Sequence, residues 1–376
     1  MTLAARSMTA PPRPVLHLMV STRPGGAPRQ VELLAAGLRA RGWLPIVGAP
    51  ADGMLFESFR TMGIETVRLA TNRLRPATLV RVLRLVRRRR VALIHSHGKG
   101  AGVYGRVAAR LTGVPAVHTL HGIHFERYGP AARRAYLALE RRLSSWTARV
   151  VNVSREQERE GLALGLFDAR QSRVIVNGVD TMRLAATALT RAEARAALKV
   201  PADACVVGTV ARFDEVKRLD LLLEAVARLP GVTAVLVGAG SESARLRALA
   251  SARGLGGRVV FAGEVEDGAR LLRAIDVYAT ASRKEGMPLA VLEAMALGLP
   301  VVASDIPAHR EILGPASRGL AAETVDGFTA ILHRVLGDGG LRAALGCENR
   351  RRARNEFDAR EMLDAVEALY AEVLGR

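Results

Sequence analysis

Two successive series of apolar strand, polar turn and helical pattern run along this chain, and that order admits few folds. Val15–Val20 is a short apolar run closed by Ser21-Thr22-Arg23-Pro24-Gly25-Gly26, and a helical pattern follows from about Gln30 to Arg41. Strand, Gly-rich turn and helix form the first βα unit of a parallel sheet. Ile46–Gly48, Val91–His95, Ala116–Leu120 and Val150–Val153 repeat the strand pattern, with Arg-rich helical segments between them. The spacings fit right-handed crossovers. Val174–Val176 ends at the turn cluster Asn177-Gly178-Val179-Asp180, and a polar, Ala-rich stretch leads to Val200-Pro201. A second series follows in Cys205–Val210, Thr233–Val237, Arg258–Phe261, Asp276–Ala279 and Pro300–Ala303.

A chain of 376 residues exceeds what one hydrophobic core usually supports. The expectation is therefore an α/β protein of two facing Rossmann-like domains with a ligand cleft between them. The segments expected are a disordered leader 1–14, a first domain 15–185, a second 186–357, and a separate amphipathic helix in 358–376 that packs back on the first domain.

The net charge is +19, from 55 Lys and Arg against 36 Asp and Glu. Such a charge favours polyanions: nucleotide phosphates, anionic lipid surfaces or nucleic acid. Aromatic residues are only 4%, which leaves few platforms for base stacking and argues against nucleic acid. An Arg- and Ala-rich genomic composition would give the same charge without any partner. Cys205 and Cys347 are far apart and lack metal spacing, so neither a disulfide scaffold nor a zinc site is expected. No apolar run approaches the roughly 18 residues of a membrane span. No apolar signal core precedes Pro11-Pro12-Arg13-Pro14, and a cytoplasmic protein is expected.

The sharpest chemical segment is Ser282-Arg283-Lys284-Glu285-Gly286-Met287-Pro288-Leu289-Ala290-Val291-Leu292-Glu293-Ala294-Met295. A helix beginning near Pro288 would place Glu293 about two turns inside it and Glu285 in the loop before it. The free N–H groups of the first turn form an anion site. A phosphate docked there has a carboxylate on either side, able to accept bonds from sugar or ribose hydroxyls. In a generic helix Glu285 would be a cap and Glu293 a solvated residue.

The second segment is Gly208-Thr209-Val210-Ala211-Arg212-Phe213-Asp214-Glu215-Val216-Lys217-Arg218-Leu219, a strand ending in a loop with two cations. The fork of Arg212 and the point charge of Lys217 suit a diphosphate and would stabilise one as a leaving group. Alone, they would be ordinary surface charge.

Together the two segments resemble the large retaining glycosyltransferase family that includes sucrose synthase and the mannosyl- and glucosyltransferases of bacterial polysaccharide assembly, glycosyltransferase family 4. Its signatures, Gly-x-x-x-Arg…Lys and Glu-x7-Glu, stand here in order. Gly25-Gly26, His121-Gly122, Asn177-Gly178-Val179-Asp180 and Val235–Gly240 match its pattern too. The resemblance covers nearly the whole chain. It implies the GT-B fold, with a first domain for the acceptor and a second for a nucleotide-sugar donor.

By that resemblance Arg212 and Lys217 hold the donor diphosphate. Glu285 binds a hydroxyl of the transferred sugar, with Gly286, Met287, Pro288 and Leu289 around it, and Glu293 holds the ribose. Gly25 and Gly26 let the first-domain loop approach the phosphates. His121 sits over the reacting sugar, and backbone near Glu264-Val265 meets the base. The family further implies retention of configuration and metal independence. No cofactor is expected beyond the nucleotide-sugar substrate.

Arg218 stands where the family often has Gly, and little beyond added charge is expected of it. Arg23, Pro24 and Pro28 leave the path of the Gly25-Gly26 turn open. His95 and His97 are expected on the acceptor side; as a metal pair they lack an evident third ligand. Gly238-Ala239-Gly240 has Ser243 at the last position of a dinucleotide fingerprint, which weakens that reading. Arg81–Arg90 and Arg127–Arg149 are strongly basic. The second mixes Arg133, Arg134, Arg141 and Arg142 with Tyr136, Leu137, Leu139, Leu143 and Trp146, a pattern suited either to an anionic membrane surface or to a helix with its apolar face on the sheet.

The sequence thus points to transfer from a UDP-sugar or GDP-mannose to a glycan or lipid-linked acceptor in polysaccharide or lipopolysaccharide synthesis. The location expected is the cytoplasm or the inner membrane face, without nucleic acid. Two rivals remain at this level: a GT-B-fold nucleotide-sugar epimerase, and a basic Rossmann-type binding protein without activity.

Overall fold

The computed structural model describes residues 13–123, 125, 128–314 and 317–375. Most of the expected leader, and Arg127 of the second basic segment, lie outside them.

The first sheet contains β1 (Pro14–Leu18), β2 (Leu44–Ala49), β3 (Glu65–Arg68), β4 (Leu93–His97), β5 (Ala116–Thr119), β6 (Arg149–Asn152) and β7 (Ser172–Val174). All neighbours run parallel in the order β3-β2-β1-β4-β5-β6-β7. The second sheet contains β8 (Cys205–Val210), β9 (Val232–Val237), β10 (Val259–Gly263), β11 (Val277–Thr280), β12 (Val301–Ser304) and β13 (Leu320–Ala321), in the parallel order β10-β9-β8-β11-β12-β13. The central strands are buried on both faces, as parallel strands covered by crossover helices must be.

In each sheet the order reverses beside the first strand, between β1 and β4 and between β8 and β11. The loops leaving the C-terminal ends of strands on either side of a reversal part, and they open a crevice there. His97, Lys217 and Glu285 lie at or beyond such strand ends, and His121 follows the end of the neighbouring β5.

The two strands that sequence periodicity missed are both at edges. β3 is only partly buried and β13 has two residues, so neither makes an apolar run. The helix expected from Gln30 begins at Gly26.

The terminal helix Ala359–Val373 packs on the first domain, against the helix Gly26–Ala40 and over the first sheet. Contact is close enough that a Cβ at Gly37 would sit 2.4 Å from Leu363 Cδ1. Tyr370 is fully buried there, edge-on to Trp43.

Candidate functional site

The short 3-10 turn Glu215–Lys217 leaves β8 and carries Lys217 into the cleft, where its Nζ lies 2.6 Å from Glu285 Oε1. Both side chains are largely buried. Burial pushes the Glu285 carboxyl up, but Lys217 and neighbouring His309 more than offset it, and the group sits below the ordinary glutamate range. Arg212 lies at the rim instead, 69% exposed and paired with Asp214 at 3.0 Å.

Arg218 differs from expectation. Its φ is +49°, the left-handed region where a glycine is comfortable, so this position carries backbone strain as well as charge. It initiates the helix Leu219–Ala227, and its side chain bonds Asp220 at 3.2 Å.

The loop after Glu285 is held across the cleft. Asn177 Nδ2 donates to Met287 O at 2.8 Å, which gives the Asn-Gly-Val-Asp cluster a structural task. A Cβ on Gly286 would lie 3.1 Å from Val153 Cγ2 and 3.5 Å from the Gly122 nitrogen, so the two domains touch at this glycine. Lys284 and Glu160 pair between domains at 2.6 Å, and Glu311 accepts from the Arg155 N–H at 2.9 Å.

Pro288 precedes the helix Leu289–Ala296, which has neither a side-chain cap nor an acidic residue in its first turn. The helix Gly26–Ala40 is likewise uncapped and free of first-turn acids. Gly25 is extended, and a Cβ on Gly26 would meet only open space. Two bare helix N-termini, from opposite domains, thus offer unpaired N–H groups to an anion.

Glu293 is the fifth residue of an eight-residue helix, one turn from its start and not two. It lines a recess shared with Arg29, Glu32, Asp180, Arg183 and Asp267, so it is no solvated helix residue. Burial, reinforced by Asp267, raises its carboxyl to about 7. Arg29 was not recognised in the sequence. It pairs with Glu32 at 2.5 Å and reaches across to the carbonyl of Glu266. Glu264 and Val265 follow β10 just before that contact, Glu264 exposed and Val265 half-buried.

A glutamate whose carboxyl is raised on folding stabilises the fold only while protonated. The folded state binds the extra proton between the unfolded value near 4.5 and about 7, so stability declines across that window as pH rises. Glu293→Gln is therefore expected to raise Tm at pH 8 and leave it unchanged at pH 4.5. At pH 8 the gain is about 3 kcal/mol. Calorimetric scans at the two pH values check this; equal shifts at both would contradict it.

His121 has φ +54° and turns its Nε2 to His97 Nδ1 at 3.0 Å. His97 Nε2 faces His17 Nδ1 at 3.2 Å. The expectation that no third imidazole accompanies His95 and His97 is thereby corrected: His17, from β1, brings one ring nitrogen of each within 4.8 Å of the others. Its signal in the sequence was only a polar residue inside an apolar strand. His95 nevertheless has both nitrogens engaged, with Tyr370 OH at 2.5 Å and Thr119 Oγ1 at 2.7 Å, so a metal bound through either nitrogen would break a buried hydrogen bond. Burial lowers His17 to about 3 and His121 to about 4, and drives His95 and His97 well down, so all four are neutral at pH 7.

Two family models match in tandem: Glycosyltransferase Family 4 over residues 24–183 and Glycosyl transferases group 1 over 190–352. The lipopolysaccharide core biosynthesis glycosyltransferase LpsE of Rhizobium meliloti is 36% identical over 54% of this chain and 58% of its own. A UDP-Gal:alpha-D-GlcNAc-diphosphoundecaprenol alpha-1,3-galactosyltransferase of Escherichia coli is 28% identical over 79% of both chains. The D-inositol 3-phosphate glycosyltransferase of Saccharomonospora viridis is 32% identical over 75% of this chain and 70% of its own. The structure of Anabaena Alr3699/HepE in complex with UDP and glucose superposes with a TM-score of 0.85 at 24% identity, over 95% of this chain and 99% of that one. The fold is the GT-B arrangement of two Rossmann-like domains.

Proposed function

We propose a reaction on one premise: the chain belongs to glycosyltransferase family 4, and it is a glycosyltransferase. The reading is transfer of a sugar from a nucleotide-sugar, with retained configuration and without a metal ion, to a glycan or lipid-linked acceptor of cell-surface polysaccharide or lipopolysaccharide. The observation that carries it is the Lys217–Glu285 pair at 2.6 Å, set before the uncapped helix Leu289–Ala296.

Lys217 has three donors, so it can keep Glu285 and still bond a diphosphate oxygen. The helix N-termini add fixed partial positive charge. As the bond from the anomeric carbon to the phosphate oxygen breaks, charge grows on the diphosphate, and these groups are already aimed at it. Glu285 accepts from a sugar hydroxyl and Glu293 from the ribose. The acceptor hydroxyl forms the new bond from the face the diphosphate leaves, and its proton passes to that leaving phosphate.

The LpsE and galactosyltransferase relatives support the polysaccharide assignment, the second because the acceptor in its name is a lipid diphosphate. Thermal shifts with a panel of UDP- and GDP-sugars in EDTA test the donor class. One donor at a hundredfold its Kd should stabilise by about 2.7 kcal/mol; no shift with any of them would overturn the reading.

A lipid-linked acceptor calls for access to the membrane. Among the described residues no helix is long and apolar enough to cross one. The basic segments offer surface attachment instead. In the helix Pro130–Ser144, Leu137 and Leu143 belong to the protein interior and Trp146 lies under Arg142, so its apolar face is turned to the protein, the second of the two readings its sequence left open, while its arginines face outward. Arg133, Arg134 and Arg142 remain exposed there, as do Arg81, Arg84, Arg87 and Arg88 on the helix Pro76–Arg88. Leu74 and Val80 beside the latter are 71% and 44% exposed. Co-sedimentation with anionic vesicles at low salt, lost as salt rises, is the expected result. Equal binding to neutral vesicles would contradict it.

A further inference from the structure

His17, His97 and His121 form a line of imidazoles, Nδ1 to Nε2 at each step, that runs from the floor of the first sheet to the cleft. His17 and His97 are 0% and 3% exposed, and His121 is half-buried. A neutral imidazole has one donor and one acceptor nitrogen, so such a line must point one way. Its inner end decides which. His17 Nε2 is buried and has no partner. If the protons pointed inward, that atom would be an N–H donor with nothing to bond, and orphaned buried N–H groups are rare. If they point outward, it is a bare lone pair, each Nδ1–H donates to the next Nε2, and the last proton sits on His121 Nδ1.

We propose that His17 and His97 are positioning residues whose one-way hydrogen-bond chain fixes His121 as its Nδ1–H tautomer, so that it meets the donor sugar as a hydrogen-bond donor and not as a base. The proposal deepens the transferase reading and rests on it for the identity of the sugar. The same contact explains how His121 holds φ +54° beside Gly122 at φ +118°: His97 grips its ring from beneath while the Gly286 loop abuts its backbone. The lowered basicity of all three rings agrees with a chain that carries no net proton at pH 7. Ser96, Thr119 and Tyr370 hydroxyls face the neighbouring His118 and His95, not this line, and Arg106 is the charged group near His118.

The test is nitrogen-15 NMR of histidine-labelled full-length protein at pH 7.5, with the His121 signals identified by their loss in His121→Asn. In the wild type, a protonated Nδ1 and a bare Nε2 are expected for His121. In His97→Phe the pattern should become mixed and kcat should fall about tenfold, the worth of one oriented hydrogen bond. His17→Asn, which keeps an amide N–H near the place of Nδ1, should retain the wild-type pattern, whereas His17→Leu should not. A protonated His121 Nε2 in the wild type would overturn the proposal, as would an unchanged pattern in both His97→Phe and His17→Leu. If His97→Phe fails to fold, the wild-type tautomer and the His17 pair decide. Failure of the transferase reading itself would show as absent turnover with the tautomer unaffected.

Discussion

Replacing Lys217 by alanine is expected to lower transfer about a hundredfold while the protein stays folded. The substitution removes one charged contact to the departing diphosphate, worth about 3 kcal/mol in the transition state. It also leaves Glu285 without the cation that now outweighs its burial. That carboxyl must then rise above its present value, so the residual rate of the variant should fall away at higher pH than the wild-type rate as the solution is made acidic. Steady-state rates across pH, with a calorimetric scan of the variant, measure both effects. Wild-type kcat in a folded Lys217→Ala protein would sink the assignment of this lysine.

The largest effect on stability is expected at a pair remote from the chemistry. Arg106, 0% exposed, meets Glu140, 3% exposed, at 2.9 Å between the helices Lys99–Thr112 and Pro130–Ser144. Arg106 Nε also donates to Gly102 O at 2.9 Å. Burial lowers the guanidinium despite Glu140, which marks how much the carboxylate offsets. Glu140→Gln strands a buried cation and should cost about 3–5 kcal/mol. For domains of this size the melting temperature should drop by roughly 10 °C. The double change Arg106→Met with Glu140→Leu should recover most of the loss, since an apolar pair replaces the ions without a stranded charge. A single variant that melts within a degree of the wild type would contradict this account.

Where function shows in a sequence depends on how local its physics is. The central strands were legible because burial on both faces forces continuous apolar runs, as in Cys205–Val210. β3 and β13 were not, because an exposed or two-residue edge needs no such run. Glu285 and Glu293 stood out by their spacing around a helix start. The fold adds that the Glu293 carboxyl is raised to about 7, a consequence of its burial and then of Asp267, neither visible in the local sequence. Arg29 lies in the first turn of the helix that follows the Gly25-Gly26 turn, yet its reach to Glu266 spans two domains and leaves no local trace. His17 pairs with His97 eighty positions away, through sheet order alone. Arg218 shows the reverse failure: its charge was visible, its left-handed backbone was not.

The central claim, metal-independent transfer with retention at the Lys217–Glu285 site, is tested most directly by the anomeric configuration of the product. The protein is incubated with an α-linked nucleotide-sugar and an acceptor in excess EDTA, and the new glycoside is read by proton NMR alongside the nucleoside diphosphate released. The account predicts an α-linked product and one diphosphate per glycoside formed. A β-linked product, or turnover that appears only when a divalent cation is restored, would contradict it.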